Sequence, residues 1–327
     1  MTKREETIST NNLGNCQKIN IAGLIVDVYV DNKFIHIKKF VNKFITVDIK
    51  DQTTEKIIYI SESRERKLEL SKNLNTLLIA GPDIDNFLDP FNVIGVSQAM
   101  LRFAAIHLAK IGVLLLHGSV AVWNNEIVCF GDDGSSAAKT LGSLEVALES
   151  KQYVADEFCF VDIKNNKIFG YPFIPVHIRP IVKKHLKDSH DFSFQISNYE
   201  ETVAGDFIYS NESFHLKSGE LKILSYIHFS KTKNTMEKLS EEESFKSFKF
   251  CAVAHIAKLL HPELDRMQFV SMTDSVEDKI IDESVVNEVI EQIIGNKLLM
   301  DAFQKFTSYR LYISKPCNII DLFRVEI

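Results

Sequence analysis

Residues 114–162 read LLLHGSVAVWNNEIVCFGDDGSSAAKTLGSLEVALESKQYVADEFCFVD. Two apolar, β-prone runs, 113–116 and 119–123, lead into Asn124-Asn125. Asparagine tolerates positive φ, so this pair predicts a tight hairpin turn. A third run, 126–130, enters a loop of small residues, Gly131-Asp132-Asp133-Gly134-Ser135-Ser136-Ala137-Ala138, and then Lys139-Thr140 opens a helix that runs to about Ser150. Strands are expected at 152–155 and 158–163, with Lys164-Asn165-Asn166 as the next turn. These hairpins argue against a purely parallel, doubly wound sheet. They predict an α/β (α+β) core around a mixed, largely antiparallel sheet.

A strand, a small-residue loop, Lys-Thr and a helix form the layout of a phosphate-binding loop. The residues must be small so that backbone N–H groups can wrap the phosphates, and the helix N-terminus adds partial positive charge. The lysine neutralises phosphate and the threonine hydroxyl ligates Mg²⁺. The spacing departs from G-x-x-x-x-G-K-[ST]. Gly131 stands eight positions before Lys139 where the pattern has six, and Ala138 holds the place of the second glycine. A strand–helix loop with an exposed lysine is the competing reading.

Outward from this stretch, residues 1–17 are polar and are expected to be a flexible tail without the apolar segment of a signal peptide. Residues 18–88 carry short strand-like runs, including Phe34-Ile35-Ile37, Phe44-Ile45-Val47-Ile49 and Ile57-Ile58-Ile60. They predict a separate β-rich lobe, a small antiparallel sheet of four or five strands. Turn signals at Gly81-Pro82-Asp83 and Asp89-Pro90 open the main domain, 89–327. An amphipathic helix is expected over 92–110, with Val93, Val96, Met100, Phe103, Ala104 and Leu108 at helical spacing. A further strand opens at Ile168-Phe169. Residues 188–220 are weakly patterned and read as a loop or insertion. Strands at 221–229 and 309–313 and helices at 241–260, 277–294, 297–305 and 319–323 complete the expectation.

The formal charge of −6 gives no overall attraction to nucleic acid or anionic membrane. The five cysteines are odd in number, widely spaced and free of C-x-x-C, so neither a disulfide framework nor a zinc site is indicated. Cys129 and Cys159 read as core residues, and a reducing cytoplasm is the expected location. His255 and His261 lack metal-type spacing and read as structural.

His117-Gly118, the strand pair, Gly131-Asp132-Asp133-Gly134, Lys139-Thr140 and Val154-Ala155-Asp156-Glu157 together resemble the HPr kinase/phosphorylase family. They are most similar to its short relatives, such as lasso-peptide precursor kinases. In that family a His-Gly precedes the loop G-D-S-G-x-G-K-[ST], and V-A-D-D follows the helix. With two extra loop residues allowed, Lys139-Thr140-Leu141 and Val146-Ala147-Leu148 fall where the family has K-S-T and L-A-L. Tyr309-Arg310-Leu311 resembles its closing strand. The resemblance covers about residues 90–327, is most specific over 114–162 and does not extend to 1–85.

The resemblance implies an HPr-kinase/PEP-carboxykinase-like P-loop core and an ATP-dependent kinase acting on a hydroxyl. The acceptor would be a peptide or protein serine or a small metabolite. Gly131, Gly134, Ser135, Ser136, Ala138, Lys139 and Thr140 would cradle the nucleotide. Arg179, placed before Pro180 as a basic residue is in relatives, would contact phosphate; a surface ion pair is its alternative. Thr140 and Asp156 would hold Mg²⁺. Asp156 would also be the general base, with His117 at the site edge orienting it or a phosphate, and Glu157 replacing the family's second aspartate. Neither nucleic acid nor membrane is an expected partner, and a homo-oligomer is compatible with the reading. The altered loop leaves a second function open, a non-catalytic nucleotide- or peptide-binding module, and a third, a transferase using another phosphorylated donor.

Overall fold

The structure is a computed structural model that describes residues 14–42, 53–82, 84–85, 90–133, 139–150, 153–170, 176–178, 198–202, 205–209, 221–229, 233–261, 281–313 and 319–326. The chain divides into two units, Met1–Met100 and Leu101–Ile327.

Among the described residues, the first unit holds five strands, β1 (Gln17–Ile21), β2 (Leu24–Val30), β3 (Ile57–Ser61), β4 (Lys67–Leu70) and β5 (Thr76–Ala80), in the order β1-β2-β3-β5-β4. Alternate side chains of these strands, among them Val26, Val28, Val30, Ile58, Ile60, Leu77 and Ile79, are buried, as a sheet covered on one face requires. The sheet is mixed rather than antiparallel, because β2 pairs β3 and β3 pairs β5 in parallel. The connection from β2 to β3 contains helix α1 (Ile35–Asn42), a crossover of the kind parallel neighbours need. Residues 34–37, expected as strand, thus belong to a helix and its lead-in, and Ile37, Phe40 and Val41 are its buried side chains. The expected run at 44–49 lies outside the described residues. Ordered structure also begins before residue 18, since the Gly14 N–H donates to Val30 O at 2.9 Å.

The second unit is built on eight strands in the order β10-β9-β6-β7-β14-β16-β15, with β8 also pairing β6. They are β6 (Val113–Trp123), β7 (Glu126–Gly131), β8 (Tyr153–Ala155), β9 (Phe158–Asp162), β10 (Lys167–Gly170), β14 (Leu221–Phe229), β15 (Thr235–Lys238) and β16 (Thr307–Ile313). The β6–β7 hairpin turns on Asn124 and Asn125 at φ 48° and 68°. Its two expected strands on the β6 side are one continuous strand. The pairings β7–β14 and β14–β16 are parallel and the other five ladders are antiparallel. A separate antiparallel sheet joins β11 (Val176–Ile178), β12 (Asn198–Thr202) and β13 (Gly205–Tyr209). Within 188–220, read as a loop or an insertion, the described residues form the β12–β13 hairpin rather than a loop.

Among the described residues there are seven α-helices. Helix α2 (Pro90–Leu108) is followed by a 3₁₀ turn, Ala109–Ile111. It is buried all round from Ala99 to Leu108, not on one stripe as its spacing predicted. Helices α3 (Lys139–Ser150), α4 (Glu241–Leu260), α5 (Glu283–Val289), α6 (Asn296–Phe303) and α7 (Ile319–Glu326) follow. The Ser240–Glu243 capping box starts α4, each side chain bonding the other's backbone N–H. Among the described residues, no helix is long and apolar enough to cross a membrane.

Adjacent residues at the end of β7 face opposite sides of the sheet. Phe130 belongs to a cluster with Leu141, Leu144, Ala147, Ile227, Leu311 and Phe323, which seats α3 and α7. Gly131 faces the other way, where an added Cβ would lie 3.1 Å from Cys251 Sγ of α4. Helix α3 approaches so closely that a Cβ on Gly142 would stand 2.7 Å from both Ile227 and Phe130. Midway along α3, the buried Glu145 carboxylate accepts the Ile319 N–H, satisfying one orphan donor of α7.

Candidate functional site

The middle of β6, the end of β7 and the β8–β9 connection meet at the loop. In β6, Gly118 pairs with Gly131 of β7. A Cβ on Gly118 would lie 2.6 Å from Cys129 Sγ and 2.9 Å from Phe130 O, so this crossing accepts only glycine. The Asp132 N–H donates to His117 O at 3.0 Å and the Gly118 N–H to Glu157 O at 3.0 Å. These bonds tie the His-Gly strand, the start of the loop and the β8–β9 connection together. Glu157 itself sits at φ 66°, a left-handed conformation uncommon for a side chain without a special constraint.

Side chains from all three segments converge. The Thr140 hydroxyl, in the first turn of α3, donates to Asp156 at 3.0 and 3.2 Å from its two carboxylate oxygens. The Ser119 hydroxyl of β6 donates to the same carboxylate. Lys139 Nζ lies 3.2 Å from Asp132 Oδ2. His117 bridges two carboxylates, with Nδ1 at 3.0 Å from Asp132 Oδ2 and Nε2 at 3.0 Å from Glu157 Oε1. His228, near the end of β14, reaches Asp133 Oδ2 at 3.0 Å.

The neighbouring carboxylates are driven apart. Burial raises Asp156 to about 6, the adjacent Glu157 charge adds to this, and the hydroxyls of Ser119 and Thr140 offset part of it. For Glu157, burial pushes upward, but His117 and then Lys139 outweigh it and bring the group down to about 2. Its carboxylate is 30% exposed, so solvent screens part of that attraction. Lys139 is raised despite burial, because Asp132, Glu157 and Asp156 surround it.

Of the residues expected from sequence, His117, Gly131, Lys139, Thr140, Asp156 and Glu157 are brought together. Gly134, Ser135, Ser136, Ala138 and Arg179 lie outside the described residues. His117 contacts Glu157 and Asp132 rather than Asp156, which is held by Ser119 and Thr140. Sequence reasoning gave Ser119 and Asp132 no role of their own, although both lie inside the informative stretch. It also set His255 aside as structural. The His255 ring, on α4, stands 4.1 Å from the His117 ring and 4.6 Å from that of Phe158. Burial first, then the nearby His117 ring and the Arg102 guanidinium, hold His255 well below the usual histidine range. Only α4 packing against β6 could have placed it there, and no local pattern announces that.

The chain matches no protein-family model and no curated protein sequence.

Proposed function

We propose that this chain is an HPr-kinase-like phosphotransferase that binds Mg²⁺–ATP at the 131–140 loop and phosphorylates a hydroxyl on a peptide, protein or small metabolite. The observation that carries the reading is the Thr140–Asp156 contact, made beside Lys139 where α3 follows β7. A phosphoryl-transfer site needs a cation clamp, metal ligands and a base, because the protein mostly positions charge around a loose transition state. Lys139 supplies the cation, and the Thr140 hydroxyl and Asp156 carboxylate are hard oxygen donors of the type Mg²⁺ takes. The residues therefore fit a P-loop core holding ATP and Mg²⁺.

Bound ATP would supply the phosphoryl group, and Mg²⁺ would offset the charge developing on it. Lys139 would exchange Asp132 for phosphate. Asp156 would either share the metal or, where it stays free of it, take the hydroxyl proton, and in the metal-free site it is the more basic of the two carboxylates. A group near 6 can be ionised at neutral pH and still accept a proton, whereas one near 2 accepts it poorly. His117 would keep Glu157 and Asp132 in place while Asp156 acts. A reducing cytoplasm suits the buried free thiols Cys129, Cys159 and Cys251.

One observation favours the alternative, a module that binds nucleotide or peptide without transfer: Asp132 already occupies both Lys139 and His117. Incubation with γ-labelled ATP and candidate hydroxyl acceptors separates the two. Label should pass to an acceptor, and Asp156→Asn should lower the rate by about 10²–10⁴, the usual worth of a positioned base, while weakening ATP binding far less. Nucleotide binding without transfer to any acceptor would establish the module instead.

A further inference from the structure

His117, Glu157 and His255 bring two imidazole nitrogens and a carboxylate oxygen within 4.8 Å of one another. This donor set suits a transition metal such as Zn²⁺. Two of the three are arranged as they would be around one. His117 has a carboxylate, Asp132, on Nδ1 at 3.0 Å, the outer partner that a ligating histidine commonly has. Its Nε2 faces Glu157 Oε1 at 3.0 Å.

The third donor is not. Arg102, buried in α2, donates its Nε–H to His255 Nδ1 at 3.0 Å. A guanidinium has no acceptor to offer, so Nδ1 must present its lone pair to arginine. In neutral imidazole the hydrogen then sits on Nε2, which has no hydrogen-bond partner in a side chain only 5% exposed. One nitrogen of His255 is thus occupied and the other protonated, and neither has a lone pair for a metal. Protonating the ring as well would not help, because both nitrogens would then carry hydrogen.

We propose that Arg102 sets the metal selectivity of this site: by fixing the tautomer of His255 it denies transition metals a third ligand. On the phosphotransferase reading, this keeps His117 and Glu157 clear for Mg²⁺-dependent chemistry, and only that last consequence rests on the reading.

The test uses the full chain without nucleotide, so its outcome is independent of whether phosphate is ever transferred. Co²⁺ is titrated by its d–d absorption and Zn²⁺ by calorimetry. Wild type and His255→Gln should bind both ions equally weakly. Arg102→Gln can turn its amide oxygen toward Nδ1–H, the partner a ligating histidine uses, and should bind Co²⁺ at least about tenfold more tightly, a gain typical of such outer partners. Arg102→Met, which only frees the ring, should show a gain in the same direction and serves if the glutamine variant does not fold. The gain should vanish when His255→Gln is added, and Mg²⁺ affinity should not follow it. Wild-type binding that is lost in His255→Gln would overturn the proposal without any arginine variant. So would a gain that survives in the double variant.

Discussion

Asp156→Asn should make the metal-free protein more stable at neutral pH. The Asp156 carboxyl lies in the fold with a value near 6, against 3.8 for an unperturbed group. The fold therefore favours the protonated form. Its contribution to stability is complete below 3.8 and is lost as pH rises to about 6. At pH 7.5 the accumulated penalty is roughly 3 kcal/mol, from about 1.4 kcal/mol for each pH unit separating the two values. Asparagine removes that penalty. It keeps a carbonyl oxygen for Ser119 or Thr140 but adds an amide group that needs an acceptor, an offset of about 1–2 kcal/mol. The net gain expected at pH 7.5 is about 1–2 kcal/mol. The offset belongs to asparagine and not to pH, so the change between two pH values is the sharper quantity. The gain at pH 7.5 should exceed that at pH 4.5 by about 2 kcal/mol. Guanidinium denaturation of both proteins in EDTA at the two pH values measures it. A gain independent of pH, or one larger at pH 4.5, would refute the account of Asp156 as a buried carboxylate ionised at a cost.

Other substitutions probe the frame around the site. Gly142→Ala places a methyl 2.7 Å from Ile227 and Phe130, and overpacking of this kind should cost about 1–3 kcal/mol in denaturation experiments; a variant as stable as wild type would contradict the close seating of α3. Thr140→Val removes one of the two hydroxyls that donate to Asp156, so the Asp156 carboxyl, followed by its carbon NMR shift, should titrate at higher pH than in wild type. His255, held neutral by burial and its positive neighbours, works in the opposite sense to Asp156. The unfolded chain takes up its proton first as pH falls through 6.5, so the fold loses stability there, and in His255→Gln the stability loss between pH 7 and 5 should be smaller than in wild type.

How much of this was legible depends on whether the cause was local. Asn124-Asn125 announced the β6–β7 hairpin because two positive φ angles are needed at adjacent residues and asparagine accepts them. The strand–loop–Lys-Thr–helix order fixed where Lys139 and Thr140 would sit. Helix α1 was hidden because Phe34, Ile35 and Ile37 form a short apolar run that reads like a strand. Its helical face emerges only when Phe40 and Val41 are counted with Ile37. The parallel β2–β3–β5 arrangement depends on which strands meet across a crossover, and no single strand's pattern encodes that. At the site, Asp156 and Glu157 were found by their order after the helix. Their different fates were not, since one is held by hydroxyls of Ser119 and Thr140 and the other by the His117 ring. His255 is 153 residues from the arginine that fixes its hydrogen, and only the packed helices bring them together.

Calorimetric titration of Mg²⁺–ATP into wild type and Lys139→Met tests the central claim most directly, that the loop from Gly131 to Thr140, with Asp156 behind it, is a nucleotide phosphate site. Lys139 is the lysine at the loop's end, and its side chain is held among the carboxylates of Asp132, Asp156 and Glu157. Losing a charge-assisted contact of about 1.5–3 kcal/mol should weaken binding by about 10- to 100-fold. Binding by wild type with a loss of that size in Lys139→Met is the predicted result; equal affinity in the two proteins, or no binding by wild type, would contradict it.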